Sequence, residues 1–128
     1  MHRNQADFTL TFRTLCDCAE QSEDDARLRL LFAHQSDYDQ WAERWRARLA
    51  REPTDPKARA LRMRRVNPSV IPRNHRIEAV IRAAVDGGDF GLFEQMSEAL
   101  SRPYEAATQG FDRPPAPGER VLRTFCGT

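Results

Sequence analysis

Few side chains in this sequence are placed to do chemistry, and they are scattered. Cys126 lies in the closing pentapeptide Thr124-Phe125-Cys126-Gly127-Thr128, two positions from the end of the 128 residues. The last residues of a domain usually fray, so a thiol there is reachable, and its reactivity rather than its packing decides what it does. Two readings stay open at this point: a reactive sulfur, or an exposed cysteine of no consequence. Arg73-Asn74-His75 is the internal candidate for a polar site. Pro72 restrains the backbone ahead of Arg73, and a guanidinium can hold a carboxylate or phosphate through two parallel hydrogen bonds. The alternative is that Arg73 and His75 satisfy carbonyls or acids between helices. Cys16-x-Cys18 resembles half a metal site. Residues two apart on a helix point to different sides, however, and no second pair completes the set, so packing is the expected role of both.

Other chemistries lack their residues. The histidines His2, His34 and His75 share no helical turn, and there is no HExxH. The close glycine pair Gly87-Gly88 follows a helical pattern instead of a strand, which marks a helix end and not a phosphate loop. Carboxylates are plentiful but form no recognisable acid–base pair. The residues themselves therefore predict no catalytic group, no metal site and no cofactor site.

The elements that position these residues read as helices. Phe8, Phe12, Leu15, Cys16 and Ala19 share a helical face behind Asp7 as N-cap. Ser22 with Asp25 starts a second helix bearing Leu28, Leu31 and Phe32. Ser36 with Asp39 starts a third, with Tyr38, Trp41, Trp45 and Leu49 on one stripe. The tryptophan pair is read as an apolar anchor in preference to a base-stacking platform. Asp55 as cap and Pro56 at the first position open a fourth, basic helix that Asn67-Pro68 stops. Asn74 caps a fifth, with Ile77, Val80, Ile81, Ala84 and Val85 on one face, ending at Gly87-Gly88. Asp89 caps a sixth, with Phe90, Phe93, Met96, Ser97 and Leu100 on its inner face. Beyond Arg102-Pro103 the prolines 103, 114, 115 and 117 predict an extended tail laid over a surface. The expected fold is mainly α, with a helical region over 1–102 and a Pro-rich tail over 103–128.

Composition sets the outer bounds. The chain is 40% hydrophobic and 30% charged, suiting a folded domain. No apolar run approaches the roughly 18 residues that a membrane helix needs. Three cysteines give no disulfide framework, which suits a reducing cytoplasm. The net charge of +1 is unevenly spread. Residues 1–43 carry four cations against nine acids, residues 44–82 twelve against three, and residues 83–128 four against seven. The basic block 44–82 could serve a nucleic acid or an acidic partner as a stand-alone helical module. The acidic flanks favour pairing within the chain instead.

An ordered set of motifs resembles a known family. It comprises Asp7-Phe8-Thr9 with Phe12-Arg13 and Leu15, the Trp41/Trp45-Arg46-Ala47-Arg48-Leu49 helix, and Asn67-Pro68. It continues through Ile71-Pro72-Arg73-Asn74-His75, Ile77-Glu78 with Ile81, Gly88-Asp89-Phe90 with Phe93, and Leu100-Ser101-Arg102-Pro103-Tyr104. Pro114-Pro115 and the closing pentapeptide complete it. Together these are similar to the C-terminal end of selenoprotein O, a protein adenylyltransferase family with a kinase-like, pseudokinase fold.

The resemblance implies transfer of AMP from ATP to hydroxyl side chains of proteins, with Mg or Mn. It places the catalytic lysine, glutamate, Asn and Asp in a kinase-like core upstream of the residues seen here, so no catalytic residue is carried over. By implication the chain is a terminal fragment, a separately expressed piece or a truncated gene product, inactive alone, whose partners are that missing core and the protein substrates. Cys126 occupies the place of the family's redox cysteine or selenocysteine, with a cysteine of the core as its implied partner. The helices would form the back of a larger lobe, and their apolar faces would include surface meant for the core.

Overall fold

The computed structural model describes residues 1–106 and 110–121, with His2 in its backbone only. Among them are six α-helices and three short 3-10 turns, with no strand. The chain divides into two compact units, Met1–Pro68 and Ser69–Thr128.

The first unit contains α1 (Phe8–Cys18), α2 (Asp25–Arg29), α3 (Gln35–Leu49) and α4 (Pro56–Arg64). α1 starts where the Asp7 carboxylate accepts a hydrogen bond from the Leu10 N–H at 2.8 Å, satisfying one orphan donor of the first turn. α4 starts the same way, with Asp55 accepting from Ala58 N–H at 2.9 Å and Pro56 at a position that needs no donor. α3 departs from the expectation. It begins at Gln35 behind His34, which makes no side-chain cap, so Ser36 lies inside the helix. Polar groups around His34 explain the start: its N–H donates to Asn4 Oδ1 at 2.9 Å, fixing the entry from outside the helix.

Burial follows the apolar stripes. Leu15, Cys18, Leu28, Tyr38 and Ala42 form the core, with Phe12, Leu31, Phe32, Trp45 and Met63 packed on it. Trp41 and Trp45 stack with centroids 5.3 Å apart, and Trp45 rests on the core while Trp41 stays 38% exposed. The basic block meets the acidic segment, as its charge pattern predicts. Arg64 donates to Asp17 at 2.8 Å and to Glu20 at 3.1 Å, and Arg46 pairs with Asp25. From α1, Arg13 donates to the carbonyls of Arg64 and Asn67 at 3.3 and 3.1 Å, covering acceptors left at the end of α4.

The second unit contains α5 (Asn74–Gly87) and α6 (Gly91–Ser101). Arg73, not Asn74, occupies the cap position of α5 and makes no side-chain cap bond. The helix ends at Gly88, whose φ of 62° lies in the left-handed region. Asp89 accepts from Gly91 N–H at 2.8 Å, but the cap position of α6 belongs to Phe90. Ahead of α5, Ser69 and Val70 donate their N–H groups to the Pro103 carbonyl at 2.7 and 3.2 Å, tying that segment to the chain leaving α6. The expectation that Phe90 and Phe93 turn inward fails: they are 59% and 52% exposed, because no element of this unit among the described residues covers them. Ile81 and Val85 of α5 are also exposed.

Candidate functional site: a cleft at the start of α5

The triplet Arg73-Asn74-His75 straddles the start of α5, and the helix turn separates its members. Arg73 is buried, and its carbonyl accepts from the N–H groups of Arg76 and Ile77 at 2.9 and 3.0 Å. Asn74 is exposed. His75 lines a cleft of about 520 Å³ together with Arg76, Arg82, Glu119 and Arg120. The three residues therefore form no common pocket, and His75 is the one that reaches the cleft.

The wall opposite α5 comes from residues 110–121. Arg76 donates to the Gly110 carbonyl at 2.9 Å, and its guanidinium lies 5.8 Å from the centre of the buried Phe111 ring. Glu119 accepts from Arg113 at 2.7 Å and from Ala116 N–H at 2.8 Å. The short turn Pro117–Glu119 carries a local signal in the sequence, a proline at its first position and Glu119 three residues after Ala116. Arg76 and Arg113 were not legible as residues that hold this strap, residues 110–121, since Arg76 bonds across to Gly110 and Arg113 to Glu119, outside the triplet.

Electrostatics follow from these contacts. The bond from Arg113, then that from Ala116, pulls the Glu119 carboxyl down to about 2, so it is ionised across the physiological range. Burial pushes the His75 imidazole below its ordinary value. Arg76, Arg113 and Arg73 act in the same direction, and Glu119 opposes them. Both ring nitrogens are closed off from water and lack a hydrogen-bond partner. The arrangement is a neutral imidazole among guanidinium groups, suited to holding a strap and contacting an anion.

The cysteines separate by burial. Cys16 and Cys18 are fully buried on α1. Cys16 donates its S–H to the Phe12 carbonyl at 3.1 Å, and burial pushes its thiol upward. Burial and the adjacent Asp25 carboxylate push Cys18 to about 12. Thiolate chemistry is suppressed at both. Cys126 lies outside the described residues.

The described residues form no cluster that fits a nucleotide–metal site. No group of three or more His, Cys, Asp or Glu among the described residues could hold a metal ion. The glycine pair closes α5 instead of cradling phosphate. No step of nucleotide transfer is therefore assigned to these side chains. No described helix is long and apolar enough to cross a membrane.

Comparison with known proteins supplies what the cleft does not. The family model described as "Protein adenylyltransferase SelO" matches residues 1–101. A protein nucleotidyltransferase YdiU of Rhodopseudomonas palustris is 53% identical over 128 residues, covering 98% of this chain and 26% of the relative. A protein of the same name from a Bradyrhizobium species is 55% identical over 126 residues, covering 97% of this chain and 26% of the relative. That of Rhizobium meliloti is 49% identical over 130 residues, covering 100% and 26%. The chain spans about a quarter of the length of these curated relatives. Its helices, its motifs and a family match over most of its length agree: the chain belongs to the protein adenylyltransferase SelO family.

Proposed function

We propose that this chain is the helical, regulatory portion of a protein adenylyltransferase, working with a kinase-like catalytic core that it does not itself contain. The family match over residues 1–101 carries the reading. The core would transfer AMP from ATP, with Mg or Mn, to Ser, Thr or Tyr hydroxyls of cytoplasmic proteins. The helices would form the back of the kinase-like C-terminal lobe, and the Pro-rich segment 103–128 would form its tail.

The burial of Cys16 and Cys18 supports assigning the redox role to Cys126. Cys126 and a core cysteine would form a disulfide by exchange with a disulfide oxidant such as oxidised glutathione, which leaves as two thiols. That bond would restrain the tail against the core and make transfer respond to redox state. The exposed apolar side chains of α5 and α6 support a docking role, since surface of this kind marks an interaction face.

The test uses the chain alone with ATP labelled on its α-phosphate and a protein acceptor, followed by thiol labelling under native conditions. The expected result is no AMP transfer, with Cys126 labelled well before Cys16 or Cys18. Unaided transfer, or labelling of a buried cysteine first, would overturn the reading.

A further inference from the structure

The cleft at the start of α5 carries an unbalanced charge that the proposed function does not use. Three guanidinium groups line it, Arg76 and Arg82 from α5 and Arg120 from the strap, against two carboxylates, Glu78 and Glu119. Glu119 is already engaged: it accepts from Arg113 at 2.7 Å and from Ala116 N–H at 2.8 Å. Arg76 bonds the neutral carbonyl of Gly110, which leaves its charge unmet. Arg82 and Arg120 are exposed and pair with no carboxylate among the described residues. Among those residues, then, one uncommitted carboxylate, Glu78, faces three uncommitted cations.

These charges act from two walls. His75, Ala79 and Arg82 follow one another at helical spacing along the α5 wall, while Arg120 belongs to the strap across the cleft. A volume of about 520 Å³ has room for an oxyanion together with several waters. At Gly118 an added Cβ would meet no atom within 4 Å, so the strap is not packed shut at that point. Like charges lining a concave site add their fields and draw a counter-ion. A guanidinium donates two parallel hydrogen bonds to an oxyanion. Guanidiniums on opposite walls suit a tetrahedral dianion, whose oxygens face several directions, better than a carboxylate, with its single edge and single charge.

We propose that this cleft binds a phosphate group, held between Arg82 of α5 and Arg120 of the strap, with Arg76 adding its charge. The bound group joins the strap to α5 at a second point, beyond the bond from Arg76 to Gly110.

The test follows the amide resonances of the 128-residue chain as sodium phosphate is added at neutral pH, with chloride holding the ionic strength constant. Saturable shifts are expected over residues 75–82 and 118–121, with millimolar affinity, and no saturation with sodium acetate over the same range. Arg82→Gln and Arg120→Gln are each expected to weaken phosphate about threefold to tenfold, the worth of one hydrogen bond. Both side chains are exposed, so the fold should survive, and unmoved resonances in the first unit check that it does. Lys57→Gln removes an exposed cation from α4 in the first unit and is expected to leave phosphate affinity unchanged. O-phosphoserine and AMP, titrated likewise, distinguish the sources of the phosphate. Tighter binding of one assigns it to a protein side chain or to a nucleotide, and weaker binding of both assigns it to the free ion. Absence of saturable phosphate shifts in this cleft would overturn the proposal. So would acetate binding as tightly, an affinity unaltered in both arginine variants, or an equal loss in Lys57→Gln.

Discussion

The two units use similar helices to different ends. In Met1–Pro68, apolar stripes from four helices converge on Leu15, Cys18, Leu28 and Tyr38, and arginines bind acids and carbonyls distant in sequence. In Ser69–Thr128, two helices also carry apolar faces, yet Ile81, Val85, Phe90 and Phe93 remain at least half exposed. Val80 is the only buried residue of α5, and α6 has none. An amphipathic helix stabilises a domain only through what it is buried against. The first unit therefore buries the apolar faces of its helices, whereas the second leaves much of its own exposed.

Substitutions should separate the units sharply. Leu28→Ala opens a cavity at a fully buried position, and a loss of about 2–5 kcal/mol is expected in denaturant unfolding followed by tryptophan emission. A cost below 1 kcal/mol would mean that the first unit's core is loose. Gly88→Ala should cost about 1–2 kcal/mol even though no atom would meet the new methyl group, because the left-handed backbone at φ 62° is the obstacle. Hydrogen exchange along α5 would report it.

The next effect is a pH dependence confined to the second unit. Burial holds the folded His75 pKa below its ordinary value near 6.5, so the unfolded chain takes up a proton first as the solution is acidified. Stability from this group should be complete above that ordinary value and decline as pH falls from there toward the folded pKa. His75→Gln should flatten the slope of hydrogen-exchange protection around the α5 cleft over that range. An unchanged slope would place the titration elsewhere.

Phe93→Ser should have the smallest effect on folding, within about 0.5 kcal/mol, as for other surface positions. It should also lower binding of an apolar dye. A loss as large as that of Leu28→Ala would erase the distinction between the units.

What was legible in the sequence was mainly local. Asp7, Asp55-Pro56 and Gly87-Gly88 set helix ends through bonds or backbone angles spanning a few residues, and the structure has them so. Ser36 and Asn74 suit caps by type, but neither takes that role: the contact of Asn4 with His34 sets the start of α3, and Arg73 holds the cap position of α5. The internal pairing of the basic block was visible as a charge balance. That Arg64 would choose Asp17 and Glu20 was not, with the partners 47 and 44 positions apart in the sequence. At the candidate site, His75 was found, but the strap contacts of Arg76 and the Arg113–Glu119 pair depend on how residues 110–121 return to α5. The outward turn of Phe90 and Phe93 was hidden because periodicity marks an apolar face without naming what covers it.

The most direct test of the regulatory role is a chimera in which this chain replaces its matching quarter of the Rhodopseudomonas palustris relative, measured by transfer of labelled AMP to protein with and without a thiol reductant. The account predicts that the chimera transfers AMP and that Cys126→Ser abolishes the response to reductant. A folded chimera that transfers nothing while the parent is active, or a reductant response unaltered by Cys126→Ser, would contradict it.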